Sequence, residues 1–175
     1  MGRHGGKYQG ERRTPRAFFD EVAKLFGEFD VDVAASADNA LCDAYFTKED
    51  DAIKQPWIGR CWCNPPYDHK TLDKFARKAF VSARNGQACT TILCPATKTD
   101  QPWFHRWAMN ATYIVYLRGR IHFDPPVGVD ERSQGDHASM LLLFDSGKVC
   151  GTPDLLTASW HQKTGELLEG TFDGF

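Results

Sequence analysis

The sequence predicts an α/β fold with a mainly parallel sheet. Short runs of β-branched and aromatic residues alternate with helical stretches that carry one apolar face. One of the strands ends in Asn64-Pro65-Pro66-Tyr67 and passes directly into a helix. Open α/β sheets place their ligands at the carboxyl ends of such strands. The chain has 175 residues, enough for one domain with a substantial core.

Residues 1–12 are polar, glycine-rich and basic, and read as a mobile tail. Residues 13–175 read as a single domain. Thr14-Pro15 opens the first helix, with Thr14 as N-cap and Pro15 at the first helical position. Phe18, Phe19, Val22, Leu25 and Phe26 give that helix an apolar face, and Gly27 ends it. Phe29 to Ala35 reads as a strand, with Val31 and Val33 facing one way and Asp32 within it. The stretch 36–58 reads as mostly irregular. Gly59 to Cys63 is a short buried strand. After Asn-Pro-Pro-Tyr comes a helix over 70–85, carrying Phe75, Ala76, Ala79 and Phe80 and stopping at Asn85-Gly86.

Thr90 to Cys94 is a β-branched strand closed by Pro95. Trp103 to Met109 reads as a short helix and Ala111 to Leu117 as a strand. Arg118-Gly119-Arg120 breaks that strand, and Ile121-His122-Phe123 reads as its continuation. Asp124 to His137 is a loop, and Ala138 to Phe144 is a strongly apolar strand. With no helix between them, strands 111–123 and 138–144 are expected to pair antiparallel. There is no internal repeat and no low-complexity run.

The net charge of −2 gives no global basic signature, so any nucleic-acid site must be a local patch. Two basic clusters stand out: Arg3, Lys7, Arg12, Arg13 and Arg16, then Lys70, Lys74, Arg77, Lys78 and Arg84. Each alone also fits a solvated tail or helix face. The acidic lean after Asp145 makes that stretch an unexpected DNA face. No run is long and apolar enough to span a membrane, and the N-terminus lacks the apolar core of a signal peptide. The expectation is a cytoplasmic protein with no membrane partner. The six cysteines read as free, mostly buried thiols. Cys61-Trp62-Cys63 is read as pointing its two thiols to opposite faces, which is poor zinc geometry. With no Cys-x-x-Cys pair either, no metal site is expected.

Asn64 to Tyr67 carries the chemistry. Two prolines fix φ and remove two backbone donors, and the residue before them is pushed out of the helical region. The turn holds an amide, backbone carbonyls and an aromatic ring in one arrangement. An exocyclic amine on a base is a poor nucleophile, because its lone pair is delocalised into the ring. The Asn64 side-chain oxygen and the Pro65 carbonyl would each accept one amine N–H, favouring the pyramidal nitrogen that forms on attack. Tyr67 would stack on the base. The plain alternative is a proline-stiffened loop with a packed tyrosine. Asp32, near the end of a first strand and followed by Ala34-Ala35-Ser36, is placed as nucleotide-like cofactors often require.

From Thr14 to Phe144 the chain resembles the Dam-type phage DNA N6-adenine methyltransferases. The resemblance rests on Thr14-Pro15, Asp32-Val33-Ala34-Ala35 with Asn39, Tyr45-Phe46-Thr47, Glu49-Asp50-Asp51 and Trp57. It continues through Asn64 to Tyr67, Thr99-Asp100, Trp103-Phe104-His105, Arg118-Gly119-Arg120-Ile121 and Phe123. It implies a doubly wound fold of the S-adenosylmethionine-dependent methyltransferase type. It also implies S-adenosyl-L-methionine as cofactor and double-stranded DNA as partner, with the target adenine flipped out.

Asn64, Pro65, Pro66 and Tyr67 would be catalytic. Thr14, Pro15, Asp32, Ala34, Asn39 and Asp51 would bind cofactor, though Asp43 and Asp50 compete with Asp51 for the ribose. Arg118, Arg120 and Lys98 would touch DNA. The first half is shortened, because the 32 residues from Asp32 to Asn64 are too few for two strand–helix units. The Gly-rich loop of larger methyltransferases is replaced by Ala34-Ala35-Ser36, and no separate target-recognition domain is visible. Cytosine N4, an RNA adenine or a glutamine amide are alternative acceptors. A catalytically inactive DNA-binding module is the alternative of another class.

Overall fold

The structure is a computed structural model that describes residues 13–125, 133–134, 137–148, 153–161 and 164–169. In chain order the strands are β1 (Val31–Asp32), β2 (Ala44–Tyr45), β3 (Gly59–Cys63), β4 (Ala88–Pro95) and β5 (Tyr113–Arg118). They continue with β6 (His122–Phe123), β7 (Ser133–Gln134), β8 (Ser139–Phe144), β9 (Asp154–His161) and β10 (Glu166–Glu169). The helices are α1 (Arg16–Phe26), α2 (His69–Arg84) and α3 (Pro102–Arg106).

Alternation along the central strands sends side chains to two separate cores. Cys61, Cys63, Ile92, Cys94, Ile114, Leu142 and Phe144 meet Leu72, Ala76, Ala79 and Ala83 of α2 on one face. Trp62, Leu93, Val115, Leu117 and Leu141 meet Phe18, Phe19 and Val22 of α1 on the other. Strands buried on both faces read as continuous apolar runs, which is why β4 and β8 were legible. Cys61 and Cys63 therefore share a face, correcting the reading that they diverge. A two-residue period requires this. All five described cysteines are free, and the described residues contain no cluster of potential metal ligands.

The main sheet has the order β10-β9-β5-β8-β4-β3-β1-β2. β2, β1, β3 and β4 run parallel, and so do β5 and β9. β8 lies antiparallel between β4 and β5, as expected for strands with no helix between them. With α1 on one face and α2 on the other, the fold is α/β and doubly wound. Its first half is short, since β1 is followed only by turns and the two-residue edge strand β2.

Several elements differ from expectation. The first strand is only Val31–Asp32 rather than 29–35, because Asp32 turns its carboxylate onto the backbone of the next residues. Helix α1 begins at Arg16 with Pro15 at the cap position and no side-chain cap. Thr14 does not cap it, because its hydroxyl accepts a bond from Asn64 instead. Ile121 to Phe123 does not extend β5. His122–Phe123 pairs with Ser133–Gln134 as a separate ribbon. β9 and β10 had no strong sequence signal. They exist because Ala158, Trp160 and Leu167 complete the core over α1, where Phe18 meets Trp160 edge-on at 5.1 Å. The expected mobile tail at 1–12 lies outside the described residues, as does most of the 124–137 loop. No described helix is long and apolar enough to cross a membrane.

Gly119 makes the bend from β5 toward β6 possible. Its φ is +94°, and a Cβ there would lie 2.7 Å from the Trp160 carbonyl oxygen. Gly119→Ala is therefore expected to lower stability by about 1–3 kcal/mol, since it adds both left-handed strain and a backbone clash. Urea unfolding checks this, and an unchanged midpoint would contradict it.

Candidate active site

β3 is held between β1 and β4, so its carboxyl end is a fixed point. Asn64 leaves that end and Pro65 packs into the interior. Asp68 then starts α2 by accepting the Thr71 backbone N–H at 3.0 Å. Hydrogen bonding from the Thr71 side chain, and then from the Thr71 backbone N–H, holds the Asp68 carboxyl below the ordinary range. Asp68 is thus a helix cap, committed as a carboxylate.

The Asn64 amide is bonded at both ends. Its Nδ2 donates to Thr14 Oγ1 at 2.9 Å, and its Oδ1 accepts the Tyr67 hydroxyl at 2.8 Å. Thr14 is buried, and the first bond ties together residues 50 apart in the chain. Tyr67 also packs edge-on to Phe123, with ring centroids 6.5 Å apart. The β6–β7 ribbon therefore borders the same corner.

An open cavity of about 330 Å³ lies beside Thr14. It is lined by Arg13, Thr14, Arg16, Asp38, Asn39, Ala40, Leu41 and Asp124. Its walls are tied down by side chains. Arg16 donates to the Leu41 carbonyl at 2.9 Å and to Asp20 at 2.8 Å, and lies over the Phe19 ring. Arg13 forms a β-bridge with Asp124 and donates to the Pro125 carbonyl. Asn39 accepts the Ser36 backbone N–H at 2.7 Å.

Asp32 builds the cavity's inner rim from behind. It is 3% exposed, and its two oxygens accept the backbone N–H groups of Ala34 and Leu41, each at 3.2 Å. Burial raises its pKa to about 6, against the lowering effect of those two bonds. Of the residues expected to bind cofactor, Thr14 and Asn39 line the cavity, while Pro15, Asp32, Ala34 and Asp51 do not. Asp51 sits at φ 52° in the turn after β2 and pairs with Lys54 at 2.8 Å. Asp50 accepts from Thr47. Lys98 is half-buried in the turn after β4, and Arg118 and Arg120 are exposed at the end of β5.

The sequence reading found Arg13 and Arg16 only as charge, and it missed Asp38 and Asp124 as cavity residues. The sole signal for Arg13 was its position next to Thr14-Pro15.

A family model described as DNA N-6-adenine-methyltransferase (Dam) matches residues 7–162. The chain belongs to that family. It is 29% identical over 114 residues to the DNA N-6-adenine-methyltransferase of Escherichia phage T1, covering 63% of this chain and 46% of that protein. It is 40% identical over 62 residues to YfdM of Escherichia coli (strain K12), covering 31% of this chain and 68% of that protein. This Dam-family chain thus spans under half the length of its phage T1 relative.

The raised Asp32 pKa has a definite sign. Between the unfolded value near 3.8 and the folded value of about 6, the folded state holds a proton that the unfolded state has lost. Its stabilising contribution is full below about pH 4 and is lost as pH rises through 6, on the order of 2–3 kcal/mol in all. Asp32→Asn cannot titrate. The stability of the variant relative to wild type should therefore rise between about pH 4 and 6 and level off above. A pH-independent difference in melting temperature would show that Asp32 is not titrating in this range.

Proposed function

We propose that this Dam-family chain transfers a methyl group from S-adenosyl-L-methionine to the N6 amine of adenine in DNA. The observation that carries the reading is the Asn64 amide, fixed by Thr14 and Tyr67 at the carboxyl end of a central strand. An adenine amine inside a duplex cannot reach such a corner, so the base leaves the stack to be methylated.

The cavity fits the donor's amino-acid end. That end carries an ammonium and a carboxylate, and the lining offers Arg13 and Arg16 beside Asp38 and Asp124. Thr14 and Asn39 are the polar contacts in this reading, and Pro15, Asp32 and Ala34 shape the wall. When bound, S-adenosylmethionine supplies an electrophilic methyl on a sulfonium sulfur.

The chain's own residues align the acceptor. The Asn64 oxygen takes one amine N–H while keeping the Tyr67 hydroxyl, an amide oxygen having two lone-pair directions. The Pro65 carbonyl takes the other N–H. Neither proline donates, so the turn presents acceptors to the amine. Tyr67 offers a ring face to the base. No strong base is required, because the amine proton becomes acidic once the nitrogen is methylated. Catalysis then comes mainly from alignment, whose effective-molarity gain reaches about 7–11 kcal/mol. Arg118, Arg120 and Lys98 are candidate DNA contacts, Arg118 to phosphate and Arg120 nearer the base.

The decisive experiment is incubation with labelled S-adenosylmethionine and DNA, followed by nucleoside analysis. N6-methyladenine is expected. Label in N4-methylcytosine, RNA or protein instead would overturn the assignment. Asn64→Ala should cut kcat by roughly 10²-fold or more, the scale seen when one preorganised polar contact to a reacting group is removed. Calorimetry should find cofactor affinity almost intact.

Thr14→Val removes the acceptor of the Asn64 N–H and should cost about tenfold in kcat. Thr14→Ser should restore most of it. A change confined to cofactor affinity would assign Thr14 to the cavity alone.

A further inference from the structure

Helix α2 has two opposite faces. Leu72, Ala76, Ala79 and Ala83 are buried against the sheet. Lys70, Lys74, Arg77, Val81 and Arg84 are all exposed and follow the same i, i+4, i+7 rhythm two residues out of step. That places them roughly 200° round the helix from the buried row. Lys78 flanks the stripe.

Residues 68–107 carry seven Lys or Arg against three Asp, whereas the chain as a whole is at −2. Two of those acids already accept hydrogen bonds from other residues of the fold. Asp68 caps α2, and Asp73 accepts the Trp107 indole N–H at 3.1 Å. The stripe's cations form no salt bridge with the described residues. Asp51, the acid in electrostatic reach of Lys74, is bonded to Lys54. A row of like charges without countercharges costs solubility nothing but repels itself, and it is complementary to a polyanion.

The row starts six residues after Asn64, at the second residue of the helix that leaves the candidate active site. We propose that the first turns of this stripe, Lys70, Lys74 and Arg77, hold backbone phosphates of the DNA flanking the target base. This rests on the DNA reading above. It adds a contact surface separate from Arg118 and Arg120, which lie beyond β8 on the far side of β4 in the sheet.

Phosphate contacts release counterions, so each one adds about 0.9 to the slope of log affinity against log salt and carries no base preference. The test is a titration of a DNA duplex at several salt concentrations. It compares wild type with Lys70→Ala, Lys74→Ala and Arg77→Ala, the triple variant, and Arg84→Ala. Each single variant should lower the slope by about 0.9, and the triple variant should lose on the order of 10²-fold in affinity at 0.1 M salt. Arg84 lies about 21 Å further along the helix axis than Lys70, so its variant should keep the wild-type slope. Cofactor affinity should stay unchanged throughout, since none of these residues lines the cavity. A wild-type slope and affinity in the triple variant would overturn the surface while leaving DNA methylation by the wild type intact. An effect of Arg84→Ala equal to the others would reduce the stripe to a general charge effect and overturn it too. A wild-type protein that neither binds nor methylates the duplex would instead defeat the DNA reading itself.

Discussion

The structure depends on burying the central strands from both sides. Trp62 enters the core under α1, while Cys61 and Cys63, one residue either side, enter the core under α2. A strand packed this way cannot slip by one residue without exchanging its two faces. Its carboxyl end is therefore a stable reference point, and Asn64 stands there. Leu93 and Ile92 on β4, and Leu141 and Leu142 on β8, repeat the arrangement across the sheet.

On that base the candidate site is assembled from distant pieces. Thr14 comes from the segment before α1, Asn64 from the end of β3 and Phe123 from the ribbon beyond β5. Thr14 belongs both to the cavity wall and to the hydrogen-bond pair of Asn64. The cavity proposed for the donor and the corner proposed for the acceptor thus share a side chain. Asp32 acts one layer further back, holding the rim through the Ala34 and Leu41 N–H groups. A charged carboxylate in that position is costly, as its raised pKa shows. In the proposed mechanism it is the cost of holding the loop over residues 34–41 in one arrangement.

The elements that sequence reasoning missed share a physical cause. β9 opens with Leu155 and Leu156, both exposed, and only its end, from Ala158 to Trp160, turns into the core. Its pattern therefore lacks the double-sided apolar run that marked β4 and β8. Thr14 looked like a helix cap, because a threonine before a proline at a helix start normally is one. The partner that claims its hydroxyl is 50 residues away. Asp32 stands at a strand end, where ligands bind, but its carboxylate turns to the Ala34 and Leu41 N–H groups behind the cavity. Whether it faces outward or inward is set by the fold of residues 34–41.

The chain alone carries what is local or periodic. It determined the two-faced central strands, the helices of 3.6-residue rhythm, and the stiff Asn64-Pro65-Pro66-Tyr67 turn. The antiparallel closure of β5 on β8 also followed, from the lack of a helix between them. Which residues meet across the chain came from packing: Thr14 with Asn64, Arg16 with Leu41, Arg13 with Asp124 and Pro125. Such pairings depend on the distance between elements after packing, and a one-dimensional pattern carries periodicity but not that distance.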